Sequence, residues 1–245
     1  MKKTAYILTI MLALAGLGWA YYTYASYLPT YCRSIAETVF VDKTELFAIQ
    51  PTTSEILSPL DLYSHKWESV DIHLRTFSQY KYTERYTVSL ANKYFLISNP
   101  DQRDKDVQTF KTAVDTLVKT VCRQPNGYSK SSIYAPFIEE VNNIASSKAD
   151  KKVALAYTDC CENTDVFSIY RPADRDALVH HLNKVKELLS SYGKPCRLHG
   201  LTIYILYKPE NDRDNENFTL MSEFYKQLFE EAGATVYISP SIAIN

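Results

Sequence analysis

The sequence predicts an α/β fold: three layers, Rossmann-like, with a mostly parallel six-stranded sheet, one antiparallel strand and helices on both faces. Three observations predict it. Short apolar runs rich in β-branched and aromatic residues recur along the chain and read as buried strands. They alternate with stretches whose apolar residues fall three and four apart, the helical spacing. One pair of alternating runs lies close together and reads as a hairpin, the source of the antiparallel strand.

Each element has its own signal. Ser34 to Val41 (SIAETVFV) is a buried strand running into Asp42. Thr52 to Trp67 is a helical stretch that restarts at Ser58-Pro59, where serine caps and proline takes the first helical position. Val70 to Phe77 and Arg85 to Leu90 alternate across a short polar link, giving a hairpin with one wet face. Asp101 to Cys122 follows Pro100, with Val107, Phe110, Val114, Leu117, Val118 and Val121 on one helical face. Residues 123–132 (RQPNGYSKSS) form a turn-rich loop. Ile133 to Ser146 is a helix and Lys152 to Tyr157 a continuous apolar strand. Asp174 to Tyr192 is one helix stopped at Gly193. Leu201 to Tyr207 is the most apolar strand. Asn215 to Ala232 is a helix stopped at Gly233, and Ala234 to Ile238 is the last strand. The order β α β β α α β α β α β covers both faces of one sheet.

The first 33 residues differ from the rest. Lys2 and Lys3 precede the apolar stretch Tyr6 to Ala20, and the next charge is Arg33. Trp19, Tyr21, Tyr22, Tyr24 and Tyr27 crowd its far end. A membrane anchor needs about 20 apolar residues with aromatics at the interface, which residues 4–27 supply. A cleaved signal peptide shares the positive start and the short apolar stretch. Either reading gives a division into residues 1–33, a signal-anchor or signal peptide with its tether, and residues 34–245, one domain by size. Either also puts the domain outside the cytoplasm, periplasmic or extracellular, because the lysines stay inside.

Charge excludes some functions. The whole chain carries −1, and without Lys2, Lys3 and Arg33 it has 24 basic against 28 acidic residues, a charge of −4. Non-specific nucleic-acid binding needs a basic surface, so no nucleic-acid partner is expected. Six glycines, none in a Gly-x-Gly-x-x-Gly or phosphate-loop pattern, leave no common nucleotide fingerprint. The histidines show no zinc-ligand spacing.

In such a sheet, ligands sit at the carboxyl ends of the strands near the switch in strand order. Two strand ends carry acids: Asp42-Lys43-Thr44-Glu45 and Thr158-Asp159-Cys160-Cys161-Glu162. The 123–132 loop returns to the same end and brings Ser129, Ser131 and Ser132. Two carboxylates with hydroxyls, all oxygen, suit a hard cation such as Mg²⁺. An acidic run, Lys208 to Glu216, also reaches this end and reads as a loop capping the next helix.

These residues resemble the metal-ion-dependent adhesion site of von Willebrand factor A-type domains. That family has the same element order and an Asp-x-Ser-x-Ser motif after its first strand. The resemblance makes Asp42 the motif's aspartate and Thr44 its first hydroxyl, with Leu46 where the second serine belongs. It makes Ser131 or Ser132 the loop hydroxyl and Asp159 the later aspartate. It implies a metal site of Asp42, Thr44, Ser131 and Asp159, holding Mg²⁺ as a bridge to a protein partner in the cell envelope. A metal-free envelope scaffold is the alternative. Strand-Asp-x-Thr also resembles haloacid-dehalogenase-type phosphohydrolases, with Asp42 as nucleophile. Thr44 then stands where that family keeps its general acid.

Five cysteines make an odd count. In an oxidising compartment the topology allows a disulfide from Cys122 to Cys160 or Cys161 at the site end, and would let Cys32 and Cys196 meet at the other. Free buried thiols are the alternative.

Overall fold

The computed structural model describes residues 10–21, 33–44, 50–77, 84–95, 98–122 and 131–242. A helix, α1, covers residues 10–21, and every residue in it is exposed. Among the described residues no helix is long and apolar enough to cross a membrane. The remainder of the expected segment, residues 4–9 and 22–27, lies outside the described residues.

The domain that follows is built on a six-stranded sheet. Its strands are β1 (Ser34–Asp42), β2 (Ser69–Phe77), β3 (Glu84–Leu90), β4 (Lys151–Tyr157), β5 (Leu201–Leu206) and β6 (Thr235–Ser239). They lie in the order β3-β2-β1-β4-β5-β6. All neighbours are parallel except β2 and β3, the expected hairpin. The order reverses between β1 and β4: the chain builds outward through β2 and β3 on one side, then through β5 and β6 on the other. In sheets of this kind the carboxyl ends of the two strands at such a reversal, here β1 and β4, are where ligands bind.

Helices cover two faces, and the strand period of two shows which. Ile35, Val39 and Val41 of β1, with Val153, Leu155 and Tyr157 of β4, enter one apolar cluster. There they meet α2 (Thr53–Leu57) and α3 (Pro100–Val121). Ala36 and Phe40, with Ala154 and Ala156, enter the other cluster. That one is closed by α4 (Tyr134–Ser146), α5 (Pro172–His180), α6 (Leu182–Ser190) and α7 (Asp212–Glu231). Phe40 stacks on Phe77 at 3.9 Å and on Phe137 at 4.9 Å, tying β1, β2 and α4 together. β1 is buried along eight of its nine residues, which is why it reads as continuous rather than alternating.

Local chemistry starts the helices. Thr52 and Glu55 form a reciprocal capping box on α2. Asn99 accepts from the amides of Asp101 and Gln102, with Pro100 at the first position of α3. Asn211 accepts from Asp214 N at 3.0 Å to cap α7, so the acidic run before it is a capping loop. The same run docks on β5's exit, where the Tyr207 hydroxyl donates to the Asp214 carboxylate at 3.1 Å.

Three expectations need correction. The helix expected over Asp174 to Tyr192 is two helices, parted at His181, whose φ of −138° and ψ of 44° are not helical. Its apolar residues keep their spacing, but α5 buries only Leu178 while α6 turns Val185 and Leu189 inward. The stretch Thr52 to Trp67 is helical only through Leu57, then makes a 3-10 turn at Ser58–Leu60. It ends where Asp61 takes φ 43°, a left-handed conformation that stops a helix. The third correction concerns the thiols. Cys122, Cys160, Cys161 and Cys196 are free. Cys122 lies in the α2–α3 cluster and the Cys160-Cys161 pair in the opposite one, so the sheet separates them. Cys32 lies outside the described residues.

Candidate functional site

The strand order brings the two expected acids to the adjacent carboxyl ends of β1 and β4. Asp42 is the last residue of β1 and is 3% exposed. Past it, Lys43 N still donates to Phe77 O at 2.9 Å, so the backbone stays on the sheet for one residue more before Thr44 turns away. That turn folds Thr44 back onto the aspartate. Its amide donates to Asp42 Oδ1 at 2.9 Å and its hydroxyl to the same oxygen at 2.6 Å. The Thr44 hydroxyl also lies 3.2 Å from the Ser131 hydroxyl. Asp42, Thr44 and Ser131, 89 positions apart along the chain at their extremes, thus form one oxygen-rich chain.

Ser131 is held from the other side by the loop after β4, where Asn163 N donates to Ser131 O at 2.8 Å. That loop begins with Thr158, whose hydroxyl donates to Asp42 Oδ2 at 2.9 Å. Both carboxylate oxygens of Asp42 are therefore engaged. Asp159 follows, 6% exposed, accepting Cys161 N on Oδ1 at 2.8 Å. The loop doubles back at Cys160, which is fully buried with φ 61°. Non-glycine residues rarely hold that conformation. Here the Thr158 and Asp159 side chains fix it by accepting the amides of Cys160 and Cys161. Asp42 and Asp159 both lie close enough to the Cys160 sulfur to oppose its ionisation.

Glu162 completes the loop. Its Oε2 accepts the amides of Ile133 and Tyr134, both at 2.8 Å, at the start of α4. Ile133 has no capping side chain of its own, so Glu162 caps the helix from a distant loop.

Burial dominates the electrostatics. It pushes the Asp42 carboxyl above its ordinary range, and the hydrogen bonds from Thr44 and Thr158 pull part of the way back. It raises Glu162 to about 7 against the pull of the Tyr134 and Ile133 amides. Burial, then the carboxylates of Asp159 and Asp42, holds the Cys160 thiol protonated. Cys160 and Cys161, both buried, pack as apolar filling.

Of the four expected site residues, Asp42, Thr44 and Ser131 are joined by hydrogen-bond distances, and Asp159 stands on the facing loop. Leu46 lies outside the described residues, as does Ser129. Two residues were not singled out in the sequence. Thr158 looks like an ordinary strand-end threonine, and only the pairing of β1 with β4 shows it reaching Asp42. Glu162 sits in the acidic run, but nothing local says that it caps α4. Among the described residues no group of three or more histidine, cysteine, aspartate or glutamate side chains is placed to hold a metal. Any cation here would rest on two carboxylates with hydroxyls. A groove of about 790 Å³, lined by Tyr134, Lys194, Arg197 and His199 among others, lies toward the amino ends of β5 and β6, not at the carboxyl ends of β1 and β4. Compared with models of protein families and with curated proteins, the chain matches none.

Proposed function

We propose that the chain is a protein-binding module of the von Willebrand factor A type. In this reading it is tethered to a membrane by its N-terminal apolar segment and carries its domain outside the cytoplasm. The carboxyl ends of β1 and β4 are the binding edge. A divalent cation such as Mg²⁺ sits there on Asp42, Thr44, Ser131 and Asp159 and presents the edge to a partner in the cell envelope. One observation carries the reading. The Asp42 carboxylate and the Thr44 hydroxyl, 2.6 Å apart, are met at 3.2 Å by the Ser131 hydroxyl from 87 residues away, at the switch in strand order. The donor set fits a hard cation: every atom is oxygen, and a buried carboxyl whose ionisation burial opposes gains from a nearby positive charge. When bound, the cation supplies a coordination position for a partner oxygen. The residues of this chain orient the site. Thr158 and Thr44 fix the Asp42 carboxylate, and Asn163 fixes Ser131.

A second reading rests on the same hydrogen bonds. Asp42 is satisfied on both oxygens without a cation, which is how a purely structural staple between β1 and β4 would look. That is the metal-free envelope scaffold. Burial to 3% and engagement of both oxygens do not favour Asp42 as a phosphoryl nucleophile. Calorimetric titration of the full chain with Mg²⁺ and Mn²⁺ separates the two readings. The binding module gives heat and a rise in Tm with cation concentration, both lost in Asp42→Asn. A flat titration with unchanged Tm leaves the scaffold.

A further inference from the structure

The chain enters the domain at Arg33, and the loops around that entry share a composition. Ser34 N donates to Asp150 Oδ2 and Asp150 N to Ser34 O, both at 2.9 Å, so the loop between α4 and β4 clasps the start of β1. Ser69 N donates to Arg33 O at 3.3 Å, which brings the loop before β2 to the other side. Lys151 Nζ donates to Pro59 O at 2.6 Å and joins the two loops. The α4–β4 loop and the start of β4, residues 147–152 (SKADKK), carry three lysines and one aspartate. With the exposed Arg33 they form a basic collar on a domain that holds 24 basic against 28 acidic residues. Next to the collar the surface is aromatic. Lys93 N donates to Trp67 O at 3.1 Å, joining the segment after β3 to the loop before β2. Trp67 is buried and meets the Phe95 ring edge-on at 5.7 Å. Phe95 is 46% exposed, Tyr94 59% and Tyr63 95%. Asp104 and Asp106 pair with Lys66 and Lys93 here, so this flank offers rings and the collar offers charge.

We propose that this end of the sheet docks on the phospholipid surface of the membrane that holds the N-terminal segment. The proposal rests on the membrane tether of the reading above. Exposed tyrosine and phenylalanine suit the headgroup layer, and lysine and arginine suit its phosphates. The tether selects this occupant and this end. Only residues 22–33 separate α1 from β1, and 12 residues span at most about 40 Å. The end at which β1 begins is therefore the one held against the bilayer. The carboxyl ends of the parallel strands lie about 30 Å away along the nine residues of β1. Asp42, Asp159 and the acidic run before α7 are at that far end, where an anionic surface repels them. The tether alone leaves the domain free to tumble. The rings and the collar fix its orientation, with Asp42 facing outward.

Site-directed fluorescence of the full chain in vesicles tests the proposal. The vesicles are phosphatidylcholine with about one third phosphatidylglycerol, with or without a nitroxide on the lipid headgroup. Cys32 and the exposed Cys196 are changed to serine, which leaves the buried thiols. A dye is attached through Ser64→Cys, beside Tyr63, or through Glu210→Cys at the far end; both positions are exposed. The dye at position 64 should lose its emission to the nitroxide, and the dye at position 210 should keep it. Lys148→Glu should cut the quenching at position 64 about fivefold, the worth of one surface lysine on an anionic bilayer. The docking is overturned by a chain that stays on the vesicles through an alkaline carbonate wash yet is quenched no more at 64 than at 210. That result leaves the anchor standing and the face to a protein partner. Quenching at 64 that is indifferent to Lys148→Glu overturns the docking as well. A chain that carbonate strips from the vesicles overturns the anchor, and this proposal with it.

Discussion

Glu37 sits in the middle of β1 with no exposure, and neither of its carboxylate oxygens has a hydrogen-bond partner. It points into the α2–α3 cluster, where Tyr157 also buries an unpartnered hydroxyl. Burial raises the Glu37 carboxyl well above its usual range, and Lys151 at the start of β4 only partly offsets this. A buried polar group without a partner costs about 1–3 kcal/mol, so Glu37→Met should raise stability by that order. The check is the midpoint of denaturant unfolding, and a lower midpoint would show that Glu37 has work to do in the fold. Glu162 behaves differently, because it is bonded. Its folded pKa of about 7 lies above the unfolded value of 4.5. Between those values the folded state binds the extra proton, so the contribution of Glu162 to stability is full below about pH 4.5 and is lost as pH rises to 7, roughly 3 kcal/mol. Both amides reach the same oxygen, so Glu162→Gln keeps the cap and should flatten that slope. Unfolding measured from pH 4.5 to 8 reads it directly.

Among the elements, α3 owes its position to one buried cation. Arg103 is 1% exposed on the first turns of a helix otherwise packed by valines and Phe110. Its guanidinium donates to the carbonyls of Lys66, Ala91 at 2.6 Å and Glu68 at 2.8 Å. Three backbone carbonyls flanking β2 and β3 are thereby satisfied by one side chain on α3. Burial lowers its pKa, with Asp106 opposing. Lysine cannot reproduce a planar fork of donors. Arg103→Lys should therefore cost about 2–4 kcal/mol, and Arg103→Leu at least as much, since both strand buried carbonyls. Thermal unfolding of both variants checks this; a loss below about 0.5 kcal/mol in either would mean that water replaces the guanidinium. The other end of the fold shows a constraint of shape. Gly233 closes α7 at φ 100°, and a Cβ there would lie 2.6 Å from the His199 ring. The glycine that reads as a helix stop is also a packing surface for the loop before β5.

At the scale of the molecule, the α/β class, the hairpin and all six strands were legible because each leaves a periodic signal within a few residues. The acids at the ends of β1 and β4 were legible for the same reason: they terminate apolar runs. The break at His181 was not. Apolar spacing continues through it, and the change in direction comes from how α5 and α6 meet the sheet and α7. Thr158 and Glu162 were not legible as parts of the site, because their partners lie 116 and 28 to 29 positions away.

The sequence by itself determined the alternation of strands and helices and the strand-end carboxylates, since these depend on neighbours within one or two turns. Only the tertiary structure decided which face each buried group enters. Cys122 and the Cys160-Cys161 pair end on opposite sides of the sheet. Glu37 is sealed without a partner. Strand order and helix packing set these outcomes, and both arise from contacts between residues far apart in the chain, which leave no local period to read.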